Sequence, residues 1–110
     1  MELIVDGTVL KTTDEGFLVN IGDWSEVVAL QIAKLNELEL THLHWEILFF
    51  IRHYYLTFKH LPNARVFTKA IKKEFGEDKG NSRYLHKLFP QGPLKYASKI
   101  AGLPKPPTCL

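Results

Sequence analysis

The segment Leu103-Pro104-Lys105-Pro106-Pro107-Thr108-Cys109-Leu110 cannot be built into a regular helix or a central strand. Its three prolines remove backbone donors and fix φ, so the chain is held near polyproline II and extends by about 3.1 Å per residue. From Gly102 to Cys109 that gives an expected reach of roughly 20 Å. Cys109 is the sole cysteine of the 110 residues. A thiol carried on such a segment is either displayed for chemistry or simply part of a frayed end, and position alone does not decide between them.

With one cysteine, neither an intrachain disulfide nor a thiolate zinc site can form, so the chain must be stabilised by its core. At this length a core of adequate size is expected from one domain over residues 1–110. The start, Met1-Glu2-Leu3-Ile4-Val5-Asp6, lacks the basic residues and apolar stretch of a secretory signal. The longest apolar run, Ile47 to Ile51, is far shorter than the roughly 20 residues that span a bilayer. The expected setting is cytoplasmic, with no membrane contact.

Local patterning predicts an α+β fold in three parts: a β-meander over 1–20, a helical array over 25–101 and the arm over 102–110. Asp6-Gly7 between Leu3-Ile4-Val5 and Thr8-Val9-Leu10 suits a tight hairpin turn, and Asp14-Glu15-Gly16 leads to a third short strand, Phe17-Leu18-Val19. Asp23 or Ser25 can cap a helix over about 26–36, with Val28, Ile32 and Leu35 on its apolar face. Thr41 can cap a second over about 42–58, apolar almost all round, which is expected to be central and most buried. Pro62-Asn63 opens a third that stops at Gly76, Asn81 a fourth that runs through Phe89, and Pro93 a fifth that ends before Gly102.

Charge is divided unevenly along the chain. Residues 1–50 hold two Lys or Arg against nine Asp or Glu, and residues 51–110 hold twelve against three. Arg65, Lys69, Lys72, Lys73, Arg83 and Lys87 fall opposite the apolar stripes of the third and fourth helices. Together with Lys105, they form a candidate surface for an acidic partner or for RNA, with a plain solvated face as the alternative. The link between those two helices is longer than a helix-turn-helix turn, and the second helix lacks residues suited to reading base edges. A basic nucleic-acid-binding module is retained only as an alternative.

Catalytic motifs are lacking: there is no Gly-rich phosphate loop, nucleophile elbow or His-Glu-x-x-His. His42 and Glu46 share one helical face, but two ligands do not close a metal site, and an ion pair explains the spacing as well. No metal is expected.

Three blocks carry a resemblance: Gly80-Asn81-Ser82-Arg83-Tyr84-Leu85, Leu88-Phe89-Pro90-Gln91-Gly92-Pro93, and Lys99 to Pro106 followed by Cys109. With the hairpin and His44-Trp45-Glu46, they are similar to the DsrC/TusE family along the whole chain. The resemblance implies a small sheet on an array of helices, a C-terminal arm whose cysteine is the working residue, here Cys109, and no cofactor. DsrC-like members that serve sulfite reductase have a second arm cysteine eleven positions before the penultimate one, where this chain has Ser98. The departure points to the TusE branch, a cofactor-free sulfurtransferase role. That branch implies a persulfide on Cys109, a TusBCD-like donor complex, and the thiolase MnmA with bound tRNA as acceptor in wobble 2-thiouridine synthesis. Direct tRNA contact is left open, and a DsrC-like regulatory or sulfite-reductase-associated role is the alternative.

Overall fold

The computed structural model describes residues 1–107, so Cys109 lies outside the described residues. Strands β1 (Glu2–Val5) and β2 (Thr8–Lys11) pair antiparallel, with Val5 opposite Thr8. Asp6 (φ 50°) and Gly7 (φ 80°) both take positive φ, as the two-residue turn requires. The expected third strand shrinks to one bridge, Thr12 to Leu18, flanked by the Val19 N–H to Lys11 carbonyl bond. Asn20 then caps a 3-10 turn, Ile21–Asp23, which draws the chain off the sheet before a strand can lengthen.

Five α-helices follow among the described residues: α1 (Glu26–Leu35), α2 (His42–Phe58), α3 (Ala64–Phe75), α4 (Ser82–Leu88) and α5 (Pro93–Ile100). Three start where a side-chain oxygen accepts an otherwise unpaired backbone N–H: Ser25 from Val28, Asn63 from Val66 and Asn81 from Tyr84. At α2 the N-cap is Thr41, as expected, and His44 three residues on completes a capping box with it. The Thr41 N–H donates to Nδ1 of His44 (3.1 Å), and Nε2 of the same ring donates to the Leu88 carbonyl (2.7 Å), joining the start of α2 to the end of α4. That pair of bonds fixes the tautomer with the proton on Nε2.

The centre of the array is α5, not α2. Helix α5 packs against α1, α2, α3 and α4, and Leu94, Ala97, Ser98, Lys99 and Ile100 are buried on it. Helix α2 buries only His44, Ile47, Leu48 and Ile51, while Phe49, Leu56 and Phe58 are about half exposed. Aromatic coverage all round is therefore shared between core and surface, whereas the small residues Ala97 and Ser98 let neighbouring helices close on α5 from several sides. On α1 the buried stripe is Val28, Ala29, Ile32 and Ala33; Leu35, expected inside, is 63% exposed. Among the described residues no helix is long and apolar enough to cross a membrane.

Candidate functional site

Cys109 itself lies outside the described residues, so the site is built from what leads to it: the end of α5 and the segment to Pro107. The last four carbonyls of α5 and its cap need partners that the helix cannot supply. Two are met by the turn. The Leu103 N–H donates to the Ser98 carbonyl (3.0 Å) and the Gly102 N–H to the Lys99 carbonyl (3.1 Å), with Gly102 at φ 72°, which is a Schellman ending.

The other two are met by side chains from elsewhere. Trp24 Nε1 donates to the Ile100 carbonyl at 2.8 Å, and Arg52 Nη1 donates to the Ala101 carbonyl at 2.7 Å. The guanidinium carbon of Arg52 stands 4.2 Å from the centre of the Trp24 ring, so the two donors also hold each other. Partial burial lowers the Arg52 pKa from its ordinary value. It stays a cation all the same, since a guanidinium starts far above neutrality, and it faces the negative end of the helix dipole. Gly102 is required twice over: besides its positive φ, a Cβ there would lie 2.4 Å from Trp24 Cδ1.

Beyond the turn the chain does not leave the body at once. Leu103 and Pro106 are buried, and Lys105 Nζ donates to Glu15 Oε1 at 2.8 Å. A reach counted from Gly102 is thus too long, because apolar packing and one ion pair hold the segment through Pro106 against the protein. Lys95 Nζ lies 3.7 Å from the other oxygen of Glu15. The Lys105 hydrogen bond, followed by the charges of both lysines, holds the Glu15 carboxyl below its ordinary value.

Lys99, the penultimate residue of α5, is only 9% exposed. Its ammonium sits 5.2 Å from the Tyr96 ring centre and 5.5 Å from that of Phe17, with Asn36 Oδ1 at 3.4 Å. Burial, then the neighbouring Lys95 charge, pull its pKa down. It lines a cleft of about 240 Å³ between the hairpin and α1, into which Glu2, Asp14 and Glu15 also face. Ser98 is fully enclosed, and its hydroxyl has no hydrogen-bond partner.

The six basic residues of α3 and α4 are all exposed, as their spacing predicts. The structure does not gather them into one pocket. Lys72 pairs with Glu77 at 3.4 Å, and Glu74 and Asp78 are exposed nearby, so the α3 end of the face is mixed in sign. Glu46 turns away from the metal reading: it accepts a 2.7 Å hydrogen bond from Lys79 on the link before α4. Among the described residues no group of three or more potential metal ligands occurs.

Reasoning from the sequence missed Trp24 and Arg52. The available signals were the tryptophan just before the α1 cap and the glycine that stops α5, but nothing in local spacing connects them.

Residues 4–110 match the family described as DsrC like protein. The chain is 50% identical over 108 residues to the sulfurtransferase TusE of Photorhabdus laumondii, covering 98% of this chain and 97% of that protein. It is 48% identical to sulfurtransferase TusE of Escherichia coli K12, covering 98% and 99%. Among solved structures, DsrC of Allochromatium vinosum superposes with a TM-score of 0.91 at 47% identity, over 100% of both chains. The oxidised γ-subunit of dissimilatory sulfite reductase (DsrC) from Archaeoglobus fulgidus does so with 0.86 at 41%, again over 100% of both.

Proposed function

The chain belongs to the DsrC-like protein family, and from that premise we propose that it is a sulfur-relay protein that carries sulfur as a persulfide on Cys109. The observation that carries the reading is the half-identity, over nearly the full length, to proteins named sulfurtransferase, in a chain with a single cysteine.

The chemistry needs little from the rest of the protein. The Cys109 thiolate attacks the outer sulfur of a donor persulfide; the Cys109 S–S bond forms as the donor S–S bond breaks, and the donor leaves as a thiolate. In the second step an acceptor thiolate attacks the outer sulfur of the Cys109 persulfide, and Cys109 departs as a thiolate. Each transfer is a displacement at sulfur, so no external oxidant or reductant is consumed. A TusBCD-like complex is the donor, and an MnmA-like thiolase with bound tRNA is the acceptor, in the formation of wobble 2-thiouridine. The exposed face of Arg65, Lys69, Lys72, Lys73, Arg83 and Lys87 contributes to docking one of these partners.

A sulfite-reductase-associated role is the second reading, favoured by the full-length likeness to DsrC structures. Ser98 counts against it, because the position that supplies the second thiol in that branch is here a hydroxyl inside the core.

The test is a mass measurement on the full chain after incubation with a persulfide donor. The expected result is one added sulfur on Cys109, transferred on to the thiolase, with Cys109→Ser folded but unable to support 2-thiouridine synthesis. Normal tRNA thiolation in cells carrying only Cys109→Ser sinks the proposal.

A further inference from the structure

We propose that Trp24 and Arg52 are positioning residues for sulfur transfer, because they fix the pivot from which the chain runs to Cys109. The inference rests on the reading of Cys109 as the sulfur carrier.

The Schellman turn alone satisfies two carbonyls at the end of α5, and water ordinarily serves the remainder. Here the Ile100 and Ala101 carbonyls are instead held by an indole and a guanidinium, brought from 76 and 49 residues away in sequence. Trp24 precedes α1, Arg52 lies on α2, and the carbonyls belong to α5, so three elements meet at one peptide turn. The stack of Arg52 on Trp24 and the missing Cβ of Gly102 close that junction. Enclosed Leu103 follows immediately. The direction in which the chain departs is therefore determined by more contacts than helix termination needs.

Three residues separate Leu103 from buried Pro106, at most roughly 10 Å of chain, so a rotation of about 10° at the pivot shifts Pro106, from which the chain continues, by roughly 2 Å. If only a fraction of molecules hold the productive direction, partners must select that fraction, and apparent affinity falls by the same factor.

The experiment uses the full chain, persulfide-loaded by a cysteine desulfurase and a TusBCD-like complex, delivering to an MnmA-like thiolase with tRNA. Trp24→Phe keeps an aromatic ring but removes the donor; Arg52→Gln removes the charge; Arg52→Lys restores it. All are assayed below their melting transitions, and Cys109 alkylation by iodoacetamide is followed in parallel. Trp24→Phe and Arg52→Gln are expected to raise the half-saturating thiolase concentration about tenfold, with a maximal rate within about twofold of wild type, unchanged alkylation, and partial rescue in Arg52→Lys. A merely structural role would lower the maximal rate in step with the folded fraction and leave half-saturation alone. That outcome, or wild-type kinetics in the folded variants, overturns the inference. Cys109→Ser separates the levels: if it still delivers sulfur, the carrier reading fails, whereas if it is inert while Trp24→Phe and Arg52→Gln behave as wild type, only the positioning role fails.

Discussion

Lys105 Nζ and Glu15 Oε1 meet at 2.8 Å across 90 residues of sequence, tying the segment before Cys109 to the loop that follows the hairpin. Both partners are exposed, so the bond acts as a latch and adds little to global stability.

Glu15→Gln is expected to leave the melting temperature nearly unchanged while raising hydrogen exchange at Leu103 and Lys105. High salt should reproduce the effect in wild type, since exposed pairs are screened within about 8–10 Å. The same latch sets a pH dependence. The folded-state pKa of Glu15 is held below its ordinary 4.5, so the contribution is complete above that value and is lost as pH falls through the lower one. Protection in wild type but not in Glu15→Gln should therefore decline only in acid below about pH 4.5. Equal exchange in the two proteins at neutral pH and low salt would show that the Glu15 bond adds nothing to how the segment is held.

His44 gives a sharper effect on stability. It is 6% exposed and bridges Thr41 and Leu88, with Phe89 edge-on at 5.2 Å. His44→Phe keeps the ring but strands the Leu88 carbonyl, at a cost of about 1–3 kcal/mol in urea unfolding. His44→Gln, which can still donate, should recover part of that loss. A loss below about 0.5 kcal/mol in His44→Phe would mean that water reaches the carbonyl.

Gly80 predicts the largest single loss. A Cβ at this position would lie 2.1 Å from Lys72 Cα, so the link before α4 crosses the last turn of α3 with no room for a side chain. Gly80→Ala must push the two backbones apart and lose packing around Phe75 and Tyr84, at a cost of about 3 kcal/mol or more. A variant with an unchanged melting temperature would contradict that close approach.

The helix starts were legible because each cap is local: Ser25, Asn63 and Asn81 act three residues away, and Pro93 acts on its own φ. The role of α5 was not legible. Ser98 and Lys99 look like surface residues in a short helix, and only the convergence of four other helices makes them interior. The aromatics of α2 misled for the opposite reason, since the stacked pair Trp45–Phe49 and the tilted pair Tyr54–Phe58 let exposed Phe49 and Phe58 rest on half-buried rings at the rim of the core. At the candidate site, the exposed basic residues could be named from helical spacing, whereas Cys109 was singled out by the family resemblance and not by its position alone. The Trp24–Arg52 clamp could not, because it joins residues that no periodicity relates.

The basic face offers a test of docking. Arg65, Lys69 and Lys73 lie on α3 around the 41%-exposed Val66, an apolar spot among cations. Reversing all three charges to Glu is expected to weaken binding to whichever proposed partner docks on this face, the TusBCD-like complex or the tRNA-bound thiolase, and to flatten its dependence on salt. Single reversals should each matter little. Unchanged binding across a salt series would assign these residues to solubility.

Ser98 occupies the position at which the family resemblance implies a second cysteine in DsrC-like members. The hydroxyl is fully buried and unpartnered, which normally costs about 1–3 kcal/mol, so Ser98→Ala should raise stability by about 1 kcal/mol. Ser98→Cys restores a second thiol, but places it inside the helical array. A disulfide to Cys109 requires the two Cα atoms to approach within about 4.4–6.8 Å. It also requires a path to the Ser98 side chain, which the packed α5 does not offer in the folded body. The Ser98→Cys thiol is therefore expected to resist alkylation under native conditions and to react after unfolding, while Cys109 reacts in both. Once Cys109 carries a persulfide, attack by the second thiolate on its inner sulfur would release sulfide and leave an intrachain disulfide. Enclosure of residue 98 makes that escape slow, so sulfide release from loaded Ser98→Cys should stay close to wild type until denaturant loosens α5. Rapid sulfide release with an intrachain disulfide in native buffer would show that α5 opens far enough to expose its centre, and that the end of the helix is less firmly held than its four satisfied carbonyls imply.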